Sequence, residues 1–267
     1  MSGSPPAKKQ RTEDSTSPPF ELIYWPNIPG RGEHVRLAFE ATRTPYTDAC
    51  NDSSPPSPQA VLEQISPKNT GSGTNPPPLA PPVLKHGDLL LFQTPAILLY
   101  LAPQLGLAGP KDDATAIHRI NALALTALDG FSNEVHETHH PIATGKVYED
   151  QKSEAKARAH DYLSARLPKF LAYFERVLNG EASKGGEWLY GGELSYADLV
   201  LFQCLDGVSY AFPKRVKTLR EGGEYDKVWG VYERVKGQEA VKEYLGSERR
   251  MKYGNGIYRR YEELDEE

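Results

Sequence analysis

The hydrophobic pattern changes period part-way along the chain, and that change constrains the architecture more than any single residue does. Before about residue 103, bulky residues come in short clusters: Phe20 to Tyr24, Pro45 to Ala49, Pro82-Val83-Leu84, and Leu89-Leu90-Leu91 beyond the turn His86-Gly87-Asp88. Short apolar runs bounded by Gly, Pro, Asn and Asp read as strands, the last two as a hairpin. Between them, Val35, Ala38, Phe39 and Thr42 form one face of a helix from about Arg31 to Arg43, and Gln59 to Ile65 is helix-like. Thr94 starts a further helix, with Pro95 at its first position, Thr94 as a possible cap and Ile97 to Leu101 as the buried body. The order β-α-β-α-β-β-α describes a small α/β domain. From Ile117 onward only three- and four-residue steps remain. Ile117, Ile120, Ala124, Leu128 and Phe131 make one stripe; Leu163, Leu167, Phe170, Leu171, Phe174 and Leu178 make a second, with a kink expected at Pro168. The second half is therefore all-helical.

The 267 residues divide into a tail over 1–19, an α/β domain over 20–103, a linker over 104–111, a helical domain over 112–250 and an extension over 251–267. The tail is polar and rich in Ser and Pro, which predicts disorder. Its run Pro6-Ala7-Lys8-Lys9-Gln10-Arg11 reads either as a nuclear-import signal or as an ordinary solvated charge run. Asn51 to Pro78 is a long connection dominated by Ser, Pro, Gly and Asn, expected to be mobile. Glu181 to Gly192 reads as a loop. Ser195-X-X-Asp198 is a capping box that starts a core helix containing Cys204, so Asp198 is structural. Further short helices fit Tyr225 to Leu245, and the chain closes on the charged run Glu262 to Glu267.

A formal net charge of −5 gives no electrostatic reason to expect nucleic acid or an anionic membrane as partner. No apolar run approaches the ~20 residues that span a bilayer, and the first residues lack the apolar core of a signal peptide. The two cysteines, Cys50 and Cys204, match no zinc or disulfide spacing. A cytosolic location is expected.

Three motifs carry a resemblance. Leu22-Ile23-Tyr24-Trp25 is followed, after a turn, by Gly30-Arg31-Gly32-Glu33 and by Arg36; Pro82-Val83-Leu84 precedes His86-Gly87-Asp88 and then Gln93-Thr94; and Gly192-Glu193-Leu194-Ser195-Tyr196-Ala197-Asp198-Leu199 lies in the helical half. In this order, over about Phe20 to Leu245, they resemble the tyrosine-type cytosolic glutathione transferases. The segment Tyr148-Glu149-Asp150-Gln151-Lys152 is similar to transferase-like proteins of fungi and other microbial eukaryotes. The chain departs from the family pattern in a turn one residue longer, in Pro29 where the first arginine stands, and in Pro81 before the candidate cis-proline Pro82.

The resemblance implies a thioredoxin-like first domain that binds glutathione, with the helical domain walling the electrophile site. Tyr24 and Arg31 are the catalytic candidates: a phenol that donates to the sulfur favours the thiolate, and the arginine adds positive charge. Trp25, Pro81, Pro82, Gln93 and Thr94 are the glutathione-binding candidates, the last two at a helix N-terminus that suits the γ-glutamyl carboxylate. Pro81 has no N–H to donate but keeps its carbonyl as an acceptor. The family pairing also implies a homodimer. A non-catalytic dimeric scaffold or regulator stays open as the alternative, and glutathione-dependent peroxidase activity as an addition. Glutathione is the only co-substrate expected.

His136-Glu137-Thr138-His139-His140 satisfies the H-E-X-X-H pattern of zinc proteases. Pro141 places it at a helix end, and the sequence supplies no clear third ligand, so no metal is expected. In the family comparison His139 and His140 lie near the electrophile cleft, in contact with substrate or in a buried polar cluster. No cysteine stands where strand one meets helix one, which argues against disulfide exchange.

Overall fold

A computed structural model describes residues 18–266. The expected disordered tail, apart from Pro18 and Pro19, lies outside the described residues, and so does its basic run.

The first half builds a four-stranded sheet. Strands β1 (Phe20–Ile23), β2 (Tyr46–Asp48), β3 (Val83–His86) and β4 (Leu89–Phe92) lie in the order β2-β1-β3-β4. β1 pairs parallel with β2 and antiparallel with β3, and β3 with β4, with Leu22 opposite Leu84 and Val83 opposite Phe92. Helix α1 (Glu33–Ala41) makes the parallel crossover from β1 to β2, the connection parallel strands need. It buries Val35, Leu37, Ala38 and Phe39 and packs beside α3 (Thr94–Leu105) on the sheet. The short α2 (Gln59–Gln64) inserts Val61 into a second, smaller apolar cluster with Ile23, Cys50 and Val83. This is the thioredoxin-like arrangement.

The long connection after β2 is held at both ends by asparagines. Asn51 Oδ1 accepts from the Asn27 N–H at 2.9 Å. Asn75 donates to the Asp88 carbonyl at 2.7 Å and accepts from Leu90 N–H at 3.0 Å, so it binds the loop to the edge strand β4.

The second half is entirely helical: α4 (Ala116–Leu128), α5 (Glu134–His139), α6 (Lys152–Asp161), α7 (Leu167–Asn179), α8 (Tyr196–Ala211), α9 (Pro213–Glu221), α10 (Asp226–Gly237) and α11 (Glu239–Leu245). α8 is the central element, burying thirteen of its sixteen residues against α4 and α10. Its capping box forms as the sequence predicts: Asp198 Oδ2 accepts from Ser195 N–H at 2.9 Å and from Ser195 Oγ at 2.7 Å, and Oδ1 accepts from Leu189 N–H at 2.8 Å. Cys204 is buried on this helix with its Sγ toward the Ala127 carbonyl.

Several elements differ from expectation. α3 continues through the exposed Pro103 to the half-buried Leu105 and closes on Gly106 in the left-handed region, whose N–H donates to the Ala102 carbonyl. Its N-cap is Gln93 rather than Thr94, no side chain caps it, and Pro95 is its second residue. The two long helices are broken by π turns, Asp129–Asn133 between α4 and α5 and Tyr162–Arg166 between α6 and α7. The second leads without a break into α7, and Pro168 has no N–H for the Leu163 carbonyl, which accepts from Arg215 Nε at 3.2 Å; a π turn thus precedes the proline where a kink was expected. The closing acidic run docks: Leu264 is buried, and the Asp265 carboxylate accepts from Lys214 and Arg215 N–H at 2.8 and 3.1 Å, capping α9. α9 itself was not legible, since only Val216 is buried on it.

Candidate functional site

Tyr24 leaves the end of β1 and lies against the chain's own next turn. Asn27 adopts φ 61° and Gly30 φ 46°, which folds residues 24–30 into a tight return. A 3₁₀ turn, Gly30–Gly32, then leads straight into α1. A Cβ on Gly30 would come within 2.2 Å of the Tyr24 hydroxyl oxygen, and one on Gly32 within 2.5 Å of the ring Cγ. Two glycines thus make the slot that seats the phenol. The Arg31 N–H donates to Tyr24 Oη at 2.9 Å. That bond uses the oxygen as an acceptor and leaves the phenolic proton to be donated elsewhere. Burial pushes the Tyr24 phenol up; the Arg31 N–H bond and the charges of Arg36 and Arg31 offset this only in part. The group therefore stays protonated at neutral pH, the form that can donate.

Arg36 organises this turn from behind. It is buried, with its guanidinium 5.7 Å from the Tyr24 ring centroid. Nε donates to Asp48 at 2.6 Å, and Nη1 to Glu33 at 3.1 Å and to the Pro29 carbonyl at 3.2 Å. Glu33 in turn accepts from the Tyr244 hydroxyl at 2.7 Å and from Arg250, and Arg250 reaches Asp206 at 2.9 Å. Burial alone would raise the Glu33 carboxyl, but Arg250 and Arg36 hold it below the usual carboxylate value. A charged network thus runs from the Tyr24 turn to the helical domain.

Arg31 faces the other way. Its guanidinium donates to Asn133 Oδ1 in the π turn, and Asn133 is held by Asp129 at 3.1 Å. Its carbonyl accepts from the Thr94 hydroxyl at 3.4 Å, which joins the turn to the start of α3. Thr94 is buried and Gln93 exposed, the latter at φ 72°, a left-handed value uncommon outside glycine. The first N–H groups of α3 meet no helical carbonyl and carry the positive end of the dipole. Pro81 and Pro82 are joined by a cis peptide bond, Pro82 buried and Pro81 half-buried. Trp25 packs between the two apolar clusters. Tyr24, Arg31 and Thr94 are thereby linked by direct hydrogen bonds, and Gln93 adjoins Thr94.

Across from Arg31 stand the histidines of α5. His136, His139 and His140 form one cluster, with ring centroids 5.0, 5.0 and 4.7 Å apart. His136 and His140 share a face, as the H-E-X-X-H spacing implies, but Glu137 turns outward to Arg158 at 2.8 Å and does not face them. The third partner that the sequence did not supply is His139. Burial pushes the His139 imidazole down to about 3 and that of His136 to about 4, and it lowers His140 as well, with Arg259 acting in the same direction on all three. The C-terminal extension covers this face. Ile257 and Tyr258 are buried, a Cβ on Gly256 would lie 3.8 Å from Ile28 Cδ1, and the Tyr261 ring stacks on Tyr148 at 3.8 Å.

Sequence reasoning missed the work of Arg36 and Asn133. Arg36 belonged to a recognised motif with Glu33 one turn away, yet its closer acidic partner, Asp48, stands on the next strand. Asn133 carries no local signal. Cys50 and Cys204 are both free and buried, and burial pushes the Cys204 thiol up to about 12, so it is not a thiolate at neutral pH.

Residues 136–248 match the family model described as glutathione S-transferase, C-terminal domain. A glutathione S-transferase of Plasmodium falciparum is 25% identical over 202 residues, spanning 73% of this chain and 83% of that protein. Glutathione S-transferase P 1 of Xenopus laevis is 24% identical over 88% of this chain and 95% of its own length. Among solved structures, the Pi-class enzyme of Onchocerca volvulus superposes with a TM-score of 0.59 at 23% identity, covering 84% of this chain and 91% of that one. The glutathione S-transferase of Ascaris lumbricoides gives 0.60 at 22% identity over 85% and 96%. The fold is that of these structures.

Proposed function

We propose that this chain, which has the fold and the C-terminal domain of the cytosolic glutathione S-transferases, conjugates the glutathione thiol to a small electrophile with Tyr24 as the activating group. The observation that carries the reading is the Tyr24 hydroxyl: its oxygen is engaged by Arg31 N–H at 2.9 Å, and burial keeps its proton on. A thiol of pKa ~8.5 is mostly protonated at neutral pH and gains nucleophilicity only as thiolate. A hydrogen bond to the sulfur favours the charged form, and each pKa unit so removed corresponds to about 1.4 kcal/mol.

In this reading glutathione lies over the N-terminal domain. Its γ-glutamyl carboxylate meets Gln93 and Thr94 at the start of α3, and its cysteinyl part lies along Pro81-Pro82. Pro81 offers that backbone an acceptor only. Trp25 flanks the tripeptide, and Arg31 contributes positive charge near the sulfur. The electrophile enters between the 27–31 turn and α5; His139 does not border that cleft, because it is buried in a polar cluster under the C-terminal extension. Holding both reactants there supplies much of the acceleration as proximity. The functional unit in this reading is a cytosolic homodimer.

The test is retention on immobilised glutathione, followed by conjugation assays with aryl halides, epoxides and enones. The expected outcome is retention and turnover of at least one class. Absence of both overturns the reading, whereas unchanged conjugation by Tyr24→Phe overturns only the role of Tyr24.

A further inference from the structure

We propose that His136, His139 and His140 form a three-histidine site for a divalent transition-metal ion of the zinc type, at the C-terminal end of α5. Each of the three offers a ring nitrogen, and these nitrogens all lie within 4.8 Å of one another. Zinc–imidazole bonds of ~2.05 Å at tetrahedral angles separate ligand nitrogens by roughly 3.3 Å. Closing on an ion therefore asks the ring nitrogens to approach by at most about 1.5 Å.

His139 has the disposition of a metal ligand already. Its Nε2 lies 2.8 Å from the Ile257 carbonyl, which can only accept, so Nε2 carries the hydrogen. The lone pair is then on Nδ1, which is buried and has no hydrogen-bond partner. A buried acceptor without a partner is costly. A backbone carbonyl fixing the far nitrogen is the arrangement that orients a ligating imidazole. His140 Nδ1 lies 3.3 Å from Gln151 Nε2, but that amide also donates to the Ala143 and Lys146 carbonyls at 3.0 and 3.1 Å, which use its two hydrogens and leave the His140 lone pair to a cation.

The donor set selects the ion. Among the described residues no carboxylate joins the cluster, since Glu137 is engaged by Arg158 and Glu263 by Lys152. Three neutral nitrogens suit Zn²⁺, Co²⁺, Ni²⁺ or Cu²⁺ rather than the oxygen-seeking Ca²⁺ and Mg²⁺. His140 also lines a surface groove with Thr144, Tyr148, Arg259 and Tyr261, which gives an ion a path in and leaves a fourth position toward solvent. The Arg259 charge opposes a bare cation at this cluster, so the ion is expected to bring an anionic fourth ligand that faces the guanidinium.

The proposal is independent of glutathione binding and is tested without any activity measurement. The full chain, freed of metal by dialysis against chelator, is titrated with Zn²⁺ by calorimetry and with Co²⁺ by visible spectroscopy. The expected result is one equivalent bound, an intense visible Co²⁺ band of tetrahedral type, and at least a tenfold weaker affinity in both His136→Gln and His140→Gln. The paired control His118→Gln/His160→Gln removes two histidines outside the cluster and should bind as the parent does. Both ligand variants alter half-exposed residues, and circular dichroism checks their fold. Binding that is absent, or that survives intact in the two ligand variants, overturns the site; so does equal loss in the control.

Discussion

Tyr24 is held by what surrounds it, and the consequences can be measured one atom at a time. Tyr24→Phe keeps the ring between Gly30 and Gly32 and removes only the hydroxyl. If the lost hydrogen bond raises the bound thiol by one to two pKa units, thiolate at neutral pH falls about 10- to 100-fold. Conjugation at saturating glutathione should fall correspondingly. The check is the thiolate absorbance of the complex as a function of pH, whose midpoint should move upward in the variant. Arg36 is a residue of a different kind. It is buried and bonded to Asp48, Glu33 and two carbonyls, so Arg36→Met leaves two carboxylates short of their partner. Breaking one member of a buried ionic network costs about 3–5 kcal/mol, and a urea denaturation series should show a loss of that order.

At the level of elements, the decisive part is the return from β1 into α1. Gly32 has an ordinary helical backbone, φ −65°, so an added methyl is excluded by space alone. Gly32→Ala should push the Tyr24 ring out of its slot, costing about 1–3 kcal/mol of stability as overpacking. It should depress conjugation more than glutathione retention, and kinetics at varied glutathione separate the two effects. The strands and the register of amphipathic helices were legible beforehand, because short apolar runs and 3.6-residue stripes are local signals. The two π turns were not. The apolar stripe continues through them, and the extra residue in the turn is set by how α4 and α5 meet α7, where Phe170 lies against Gly130.

On the scale of the whole molecule, the C-terminal extension closes over the helical half. Ile257, Tyr258 and Leu264 are buried, Asp265 caps α9, and the Ile257 carbonyl holds His139. A chain ending at residue 250 should be markedly less stable and should bind a dye that reports exposed apolar surface, whereas the full chain should not. Stability should also depend on pH through His34, which is buried and pushed down to about 3 chiefly by burial, with the charge of Arg31 adding to it. A group whose folded pKa is depressed contributes stability that is present above its unfolded value, near 6.5, and lost as pH falls toward the folded value. One proton taken up only on unfolding gives a slope of about 1.4 kcal/mol per pH unit in that window. His34→Phe should flatten the urea midpoint between pH 6.5 and 4 relative to the parent.

What the sequence determined by itself is the part written in local pattern. It specified an α/β half and a helical half, a capping box at Ser195 and Asp198, and a tyrosine at the end of the first strand. Tertiary structure decided which distant groups meet. Asp48 neutralises Arg36, Asn133 receives Arg31, and Ile257 fixes His139, more than a hundred residues away. Such pairings depend on burial and on the direction of single hydrogen bonds, which leave no period in the sequence. For that reason three histidines that read as a helix-end motif lacking a third ligand become, once the chain is folded, a cluster with a lone pair facing inward.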